Sequence, residues 1–218
     1  MAKIVIFGAS QFAEMIRFYL TNDSDHTVVA HTVDGDHMTG TVSQGLPIVP
    51  FDEIENIFSP DEHSMMIAIG AHKGNSLRAE KYESARTKGY HLINFVHSDA
   101  SICSDLKVGE NTIIDQFTMV HPGVRIGNNV IIISSRIGHH SSIDNHCMIS
   151  AATLGGGVNV GEYSFVGMNA TVREQISIGR RCVVGAGALV LKNTKDDEVF
   201  RVRGTQPSKI PSRRIKIM

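Results

Sequence analysis

The sequence lacks tryptophan and has few other aromatic residues, which make up 6% of its 218 residues. It also lacks an excess of charge of one sign, because 21 lysines and arginines are balanced by 22 aspartates and glutamates. Without clustered cations, no strong positive field is available to hold a nucleic-acid backbone. No apolar run reaches the roughly 18 residues that a membrane span needs, and no cleavage-site pattern follows the apolar start. These absences predict a protein with no nucleic-acid partner and no membrane insertion.

Cysteine is scarce as well, with residues only at Cys103, Cys147 and Cys182. Their number is odd and no two of them have the spacing of a metal-binding pair. This usage predicts a reduced, cytoplasmic protein without a structural metal. Hydrophobic residues make up 42% of the chain, which is enough for a packed core. With few large rings, that core is expected to consist of many small aliphatic layers.

The first hundred residues alternate short apolar runs with stretches of helical spacing. The predicted strands cover residues 3–7, 27–33, 47–49, 64–69 and 91–95, and the predicted helices cover residues 11–20, 51–58 and 76–88. Strands that alternate with helices indicate a parallel sheet with helices on its faces.

From Ile102 onward the chain follows a repeat of six residues with two steps of five. The aliphatic positions of the repeat are Ile102, Val108, Ile114, Val120, Ile126, Ile132, Ile137, Ile143, Ile149, Leu154, Val160, Val166, Val172, Ile178, Val184 and Val190. The next residue is often glycine or an acid, and the fifth residue of most units is small or branched. Such a regular period is the signature of a repeat architecture.

A six-residue unit suits a triangular coil in which each unit supplies one short strand and one corner. The aliphatic residue would point inward and stack on its equivalent in the next coil, and the small fifth residue would also pack inside. Each coil contacts only its neighbours, so both ends need caps. We expect the N-terminal sheet to cover one end, and residues 195–218 to cover the other end or to fold along a side.

This repeat, behind a small α/β domain, resembles the hexapeptide-repeat acyltransferases, whose coils form a left-handed β-helix. The resemblance implies a Rossmann-like nucleotide-sugar-binding domain at 1–97, a left-handed parallel β-helix at 98–194 and a C-terminal tail or cap at 195–218. Within that family, the chain is similar to the branch that contains nucleotide-aminosugar N-acetyltransferases and sialic acid O-acetyltransferases.

The family's catalytic histidine lies in a short segment near the middle of the coil, which corresponds here to residues 134–141. His139 takes its position, and a neutral imidazole is well suited to accept the proton of an attacking sugar amine. The family normally follows this histidine with Glu or Asp, whereas this chain has His140. Since protonation of one imidazole disfavours protonation of the other, either Asp115 or Asp144 orients His139, or the base is less assisted.

The resemblance also implies a binding site for acetyl-coenzyme A, the expected co-substrate, and no metal. A second family histidine that contacts the acyl donor is replaced by Met148, and His146 lies two positions away. The three glycines 155–157 fall one coil after His139, where they either absorb a five-residue step or leave room for the donor. The expected donor-binding residues are His146, Met148, Gly156, Gly167, Met168, Gly185 and Ala186.

The front domain offers a loop at Gly8 between its first strand and first helix, but not the full glycine pattern of a dinucleotide fold. In the resembling family this loop, the acidic end of the second strand and the glycine after the fourth strand hold the nucleotide. The corresponding residues are Ser10, Gln11, Phe12, Asp34, Gly35 and Gly70. Positive charge nearby would come from His72, Lys73 and Arg78.

The function expected from this resemblance is acetylation of the amino group of a nucleotide-linked 4-amino-4,6-dideoxyhexose, with His139 as general base. A homotrimer is also expected, because a lone coil exposes a flat side that closed symmetry buries. One alternative is O-acetylation of the sialic acid type. A second is a zinc site of the carbonic anhydrase kind, built from His121, His140 and His146 where they converge across a subunit boundary. A third is a sugar-nucleotide binder without catalysis.

Overall fold

The computed structural model describes residues 1–38 and 40–215. Within them, the front domain contains a six-stranded sheet with the strand order β3-β4-β2-β1-β5-β6. Its strands are β1 Lys3–Phe7, β2 Thr27–Val33, β3 Val42–Ser43, β4 Leu46–Pro50, β5 His63–Ile67 and β6 His91–Leu92. Its helices are α1 Gln11–Asn22, α2 Ile54–Ile57 and α3 Ser76–Thr87, and short 3₁₀ turns cover Gly35–His37 and Phe51–Glu53.

The central strand β1 is buried on both faces because successive side chains point to opposite sides. Ile4 and Ile6 pack in one hydrophobic cluster with α1. Val5 and Phe7 pack in a second cluster with Tyr82 of α3. Helix α1 begins after the N-cap Ser10, whose hydroxyl accepts a hydrogen bond from the backbone N–H of Ala13.

The predicted third strand is present as β4, which pairs in parallel with β2. The additional strand β3 forms an antiparallel hairpin with it, since Val42 pairs with Pro47 and Ser43 pairs with Leu46. Two other local predictions for this domain need correction. The predicted helix 51–58 is a 3₁₀ turn followed by the short α2. The predicted strand 91–95 is divided, because β6 joins the front sheet while Phe95 already pairs with Ile113 of the coil.

The second part is a parallel β-helix, as the six-residue period predicted. Its strands are β7 Phe95–Val96, β8 Ser101–Ile102, β9 Lys107–Val108, β10 Ile113–Ile114, β11 Met119–Val120, β12 Arg125–Ile126, β13 Ile131–Ile133, β14 Arg136–Ile137, β15 Ser142–Ile143, β16 Met148–Ser150, β17 Thr153–Leu154, β18 Asn159–Val160, β19 Phe165–Val166, β20 Thr171–Val172, β21 Ser177–Ile178, β22 Val183–Val184, β23 Leu189–Val190 and β24 Val199–Phe200.

These strands form parallel sheets that run along the coil. In the described residues, the first coil sheet contains β7, β10, β13, β16, β19, β22 and β24, and the second contains β8, β11, β14, β17, β20 and β23. The third coil sheet contains β9, β12, β15, β18 and β21. We call the corner between the first and second coil sheets edge one, that between the second and third edge two, and that between the third and first edge three.

The interior of the coil contains the predicted aliphatic and small residues. The aliphatic residues from Ile114 to Val190 form one buried cluster. Small fifth residues also connect neighbouring coils: the hydroxyl of Ser141 donates to the carbonyl of Gly155 and accepts from the N–H of Val158. The close fit between coils explains why the core has no place for a tryptophan ring.

The front domain packs against the side of the coil and not over its end, which corrects the expected cap. Ile113 and Ile131 of the first coil sheet share a buried cluster with Ile4, Ile16 and Phe95. Within the predicted C-terminal tail or cap, β24 pairs with β22 and Phe200 packs against the coil core, so the first coil sheet extends beyond residue 194. The last three residues of the predicted tail, 216–218, lie outside the described residues.

Of the helices in the described part of the chain, none has the length and apolar character needed to cross a membrane.

Candidate active site

The predicted base lies in the turn that follows strand β14 on edge two. Gly138 ends the pairing of this strand by donating its N–H to the carbonyl of Leu154 in the next coil. His139 and His140 then form the corner, and both side chains are exposed. His140 has a φ of +57°, so the backbone turns sharply at this point.

The two imidazoles contact each other through a single pair of nitrogens. The Nδ1 atoms of His139 and His140 are 3.1 Å apart, and the ring planes make an angle of 81°. Because a hydrogen bond needs one donor and one acceptor, a neutral pair carries one proton between these two atoms. When His139 donates, its Nε2 keeps a lone pair and is able to accept a proton.

Glycines in the neighbouring coils make room for both rings. A Cβ added at Gly156 would lie 2.5 Å from Cε1 and Nε2 of His139, and one added at Gly123 would lie 3.0 Å from Cδ2 of His140. A side chain at Gly156 would therefore displace the exposed imidazole of His139 from this position. The two rings extend toward opposite neighbouring coils.

Neither candidate carboxylate bonds to His139 in the described structure. Asp115 lies on edge one, where Ser134 and Thr118 donate hydrogen bonds to its oxygens. Asp144 begins edge three, and burial, followed by the charge of Glu162, raises the pKa of its carboxyl. In the described residues, the imidazole of His139 instead contacts Nδ1 of His140.

The residues expected to bind the acyl donor are distributed over three places. Gly167, Met168, Gly185 and Ala186 lie on edge one, and both Met168 and Ala186 are exposed there. Packing is closest at Gly185, where an added Cβ would lie 2.8 Å from the Phe200 carbonyl, and it is tight at Gly167, where an added Cβ would lie 3.1 Å from the Phe165 ring. The structure therefore brings together only Gly156 with His139, and places the edge-one residues on a different corner.

His146 and Met148 lie at the contact between the domains. His146 on edge three is only 8% exposed, packs near the rings of Tyr82 and Tyr163, and its Nδ1 is 2.9 Å from Nδ2 of Asn129. Burial, followed by the charge of Arg78, lowers the pKa of His146 to about 4. Met148 packs beside the cluster that joins the first coil sheet to the front domain.

A cavity of about 300 Å³ opens at the ends of strands β1 and β5 in the front domain. Its lining residues are Gly8, Ala9, Ser10, His37, Ala68, Ile69, Gly70, His72 and Leu77. Gly8 has a φ of +128°, and an added Cβ would lie 2.8 Å from the carbonyl oxygen of Ala68. A glycine is required there because the floor of the cavity is so closely packed.

The predicted nucleotide-binding residues are only partly brought together by this cavity. Ser10 and Gly70 line it. Gln11 and Gly35 are exposed and are not among the lining residues. Phe12 packs against the interdomain cluster. The carboxylate of Asp34 forms an ion pair with Nζ of Lys81 at 2.9 Å. Sequence reasoning missed His37; its signal was a polar residue three positions after the acidic end of the second strand.

The histidines of the zinc alternative are distributed over separate corners. His121 and His140 lie on edge two, one coil apart, whereas His146 is buried on edge three. Among the described residues, no group of three His, Cys, Asp or Glu side chains is arranged to hold a metal ion.

Comparisons with known proteins place this geometry in context. The family model described as the GMPPB C-terminal domain matches residues 93–199. Among curated proteins, the bifunctional protein GlmU from Psychrobacter sp. (strain PRwf-1) is 30% identical over 111 residues, which cover 42% of this chain and 24% of that protein. The chain spans about a quarter to a third of the length of the GlmU proteins that it matches.

Solved structures match nearly the whole chain. A perosamine N-acetyltransferase from Caulobacter crescentus in complex with CoA and GDP-perosamine is 26% identical, with a TM-score of 0.83, and the match covers 91% of this chain and 93% of that one. The acetyltransferase domain of PglB from Neisseria gonorrhoeae FA1090, at 24% identity and a TM-score of 0.79, shares the fold and covers 91% of this chain and 96% of that one. The left-handed parallel β-helix and the resemblance to hexapeptide-repeat sugar N-acetyltransferases are thus confirmed.

Proposed function

We propose that this protein is an acetyl-coenzyme A-dependent N-acetyltransferase that acts on the amino group of a nucleotide-linked 4-amino-4,6-dideoxyhexose. The observation that carries the proposal is the exposed His139, whose Nε2 is available as a base when its Nδ1 donates to Nδ1 of His140. The likeness to a perosamine N-acetyltransferase over both domains supports the substrate class.

The proposed reaction is a direct attack of the sugar amine on the thioester carbonyl. Nε2 of His139 accepts the proton that the amine loses, and the imidazolium then donates it to the departing thiolate. A covalent acyl-enzyme is not needed in this scheme. Burial raises the pKa of the Cys147 thiol to about 12, which makes it a poor nucleophile, and Cys182 is also buried.

The cavity of the front domain is the proposed nucleotide site. Ser10 and Gly70 line it, and His37 and His72 add two imidazoles that suit an anionic or aromatic ligand. We propose that Asp34 and Gly35, in the loop after β2, and Gln11 and Phe12, at the start of α1, complete the site. In this arrangement the front domain holds the nucleotide while the amino sugar extends to the coil.

The proposed donor site is shared by two copies of the chain in a homotrimer. Gly156 lies beside the base on edge two, whereas Gly167, Met168, Gly185 and Ala186 lie on edge one. The second coil sheet separates these two edges within one chain. If this sheet faces a threefold axis, edge two of one copy meets edge one of the next, so the base and the donor-binding residues come together.

The test is an assay of thiol release from acetyl-coenzyme A with a set of nucleotide-linked 4-amino sugars that includes GDP-perosamine. We expect turnover with at least one of them, and we expect His139→Asn to lower kcat by roughly 10²–10⁴-fold with little change in the KM for acetyl-coenzyme A.

Three results would contradict parts of the proposal. Absence of turnover with every amino sugar would reject the N-acetyltransferase activity. A product ester that hydroxylamine cleaves would support the O-acetylation alternative. Near-normal turnover of the His139→Asn variant would remove His139 from the mechanism.

A further inference from the structure

Arg78 of helix α3 is completely buried between the two domains, although it carries a charge. Its guanidinium donates hydrogen bonds to the carbonyls of Ile69, Gly70, Asn129, His146 and Cys147 and to Oδ1 of Asn75, at distances of 2.8 to 3.3 Å. Ile69 and Gly70 line the front cavity. The other carbonyls of this set belong to the coil, so one side chain joins the cavity wall to the β-helix.

The positive charge of Arg78 has only neutral hydrogen-bond acceptors among the described residues. Burial lowers its pKa to about 10, which still leaves the guanidinium charged at neutral pH. A buried charge without a counter-ion is costly in a structural role, where an apolar side chain often serves as well. Such a charge close to a cavity attracts an anion there, because the surrounding dielectric is low.

The contacts of Nη1 also determine how two peptide groups of the cavity wall are turned. Nη1 donates to the carbonyls of both Ile69 and Gly70. In a trans peptide the N–H points away from the carbonyl, so the N–H groups of Gly70 and Ala71 point away from Arg78. Neither N–H donates a hydrogen bond to any residue that the structure describes.

We propose that Arg78 is a positioning residue of the nucleotide pocket, which turns the amides of Gly70 and Ala71 toward a bound diphosphate and places a positive charge behind them. This inference rests on the proposed function, because it assumes that the cavity holds a nucleotide. It adds that the cavity recognises the diphosphate group and not only the nucleoside. Gly70 lines the cavity and Ala71 follows it directly, and two adjacent backbone amides that face one ligand form a common anion site.

The experiment measures binding of nucleoside diphosphates to the full chain by calorimetry. GDP, UDP and dTDP are titrated first, and the tightest of them is compared with its own nucleoside. We expect Arg78→Met to weaken diphosphate binding roughly 10–100-fold and nucleoside binding less than about threefold. Arg78→Lys keeps the charge but donates fewer hydrogen bonds, so we expect it to weaken diphosphate binding less than Arg78→Met does.

The matched control is Tyr82→Phe, which removes a hydrogen bond from the same helix to Glu110 of the coil without touching Ile69 or Gly70. It should leave the ratio of diphosphate to nucleoside affinity unchanged. If Arg78→Met weakens the binding of diphosphate and nucleoside equally, Arg78 has only a structural role. If the methionine variant does not fold, Arg78→Lys decides this point in the same way. Unchanged diphosphate binding in a folded variant would overturn the inference. Failure of all three diphosphates to bind the unmodified protein would instead reject the nucleotide site itself.

Discussion

The pair of adjacent imidazoles at His139 and His140 is the smallest unit on which the proposed chemistry depends. The resembling family has a carboxylate after its histidine, and a carboxylate only accepts hydrogen bonds. His140 both donates and accepts, so its Nδ1 permits two proton arrangements across the 3.1 Å contact. Only the arrangement in which His139 donates leaves its Nε2 free to act as a base.

Replacing His140 by aspartate tests this reasoning at the residue scale. The φ of +57° at this position is one that Asp and Asn tolerate better than most residues, so His140→Asp and His140→Asn are both expected to fold. In His140→Asp, the carboxylate fixes the productive proton arrangement and stabilises the imidazolium. We expect the acidic limb of the kcat/KM profile to move to higher pH, with activity at neutral pH unchanged or higher.

His140→Asn is the control for charge, because asparagine has the shape of aspartate and offers a hydrogen-bond acceptor without a negative charge. It should leave the acidic limb where it is in the unmodified protein. If His140→Asp, His140→Asn and His140→Ala are all silent, His140 does not orient the base. If all three lose activity completely, the imidazole of His140 itself has an essential role, such as binding zinc.

At the scale of secondary-structure elements, the contact between α3 and edge three of the coil is polar as well as apolar. Asn75, which directly precedes α3, and Arg78 within it bond to carbonyls of the coil, and the side chain of Asn111 pairs with the backbone of Ile67 in β5. His146 is enclosed by this contact and remains neutral because of burial and the nearby guanidinium.

The low pKa of His146 makes the interdomain contact sensitive to acid. An unfolded histidine ionises near 6.5, whereas His146 in the fold ionises near 4. Protons therefore bind the unfolded chain more tightly, and the stability from this group is complete above pH 6.5 and is lost as the pH falls toward 4. The loss amounts to at most about 3 kcal/mol, and buried His31, whose pKa burial also lowers, adds to it in the same direction.

Urea denaturation between pH 7.5 and 4.5 measures this effect. His146→Asn keeps a polar side chain at a position with a φ of +62°, where asparagine is well tolerated. The groups that face His146 are Asn129, Tyr82, Tyr163, Arg78 and Glu162. We expect the variant to be less stable than the unmodified protein at pH 7.5 but to lose less stability on acidification. An identical slope with pH in both proteins would contradict the assignment.

The elements differ in how well the sequence predicts them. The β-helix follows from the spacing of residues such as Ile114, Val120 and Ile126, because a period of six is a local property of the chain. The position of the front domain does not, since it depends on contacts such as Asn75 to Tyr163, which lie 88 residues apart. For the same reason the sequence suggested Arg78 only as positive charge near a ligand, and gave no indication that five backbone carbonyls surround it.

For the candidate site, the sequence predicted the types of residue better than it predicted which of them lie close together in space. His139 and Gly156 lie side by side because one coil separates them, which the repeat implies. Phe12 packs into the interdomain cluster instead of lining the cavity, because that cluster forms only when the front domain contacts the coil. His37 was missed, since its loop has no periodic pattern that would indicate which way it faces.

At the scale of the whole molecule, the separation of edge one from edge two predicts that a single chain is incomplete. The outer face of the second coil sheet carries the exposed Met119 and Leu189, and Phe117 on edge one is 71% exposed. Exposed apolar side chains on a flat sheet are typical of a surface that another protein chain covers. Closed threefold symmetry would cover this sheet and join the two edges of neighbouring copies.

Mixing two inactive variants tests whether the site is shared. His139→Asn removes the base on edge two, and Met168→Glu places a negative charge on edge one, where it repels an anionic acyl donor. Each variant alone is expected to be inactive or to have a strongly raised KM for acetyl-coenzyme A. When the two are co-expressed in equal amounts, a shared site regains both native residues at about a quarter of the interfaces of a random trimer. We therefore expect about a quarter of the unmodified activity, measured per chain after gel filtration of the mixed assembly.

A site contained in one chain would regain none, because every chain carries one of the two defects. A normal KM for acetyl-coenzyme A in Met168→Glu alone would remove Met168 from the donor site, and a monomer in sedimentation would reject the shared site altogether.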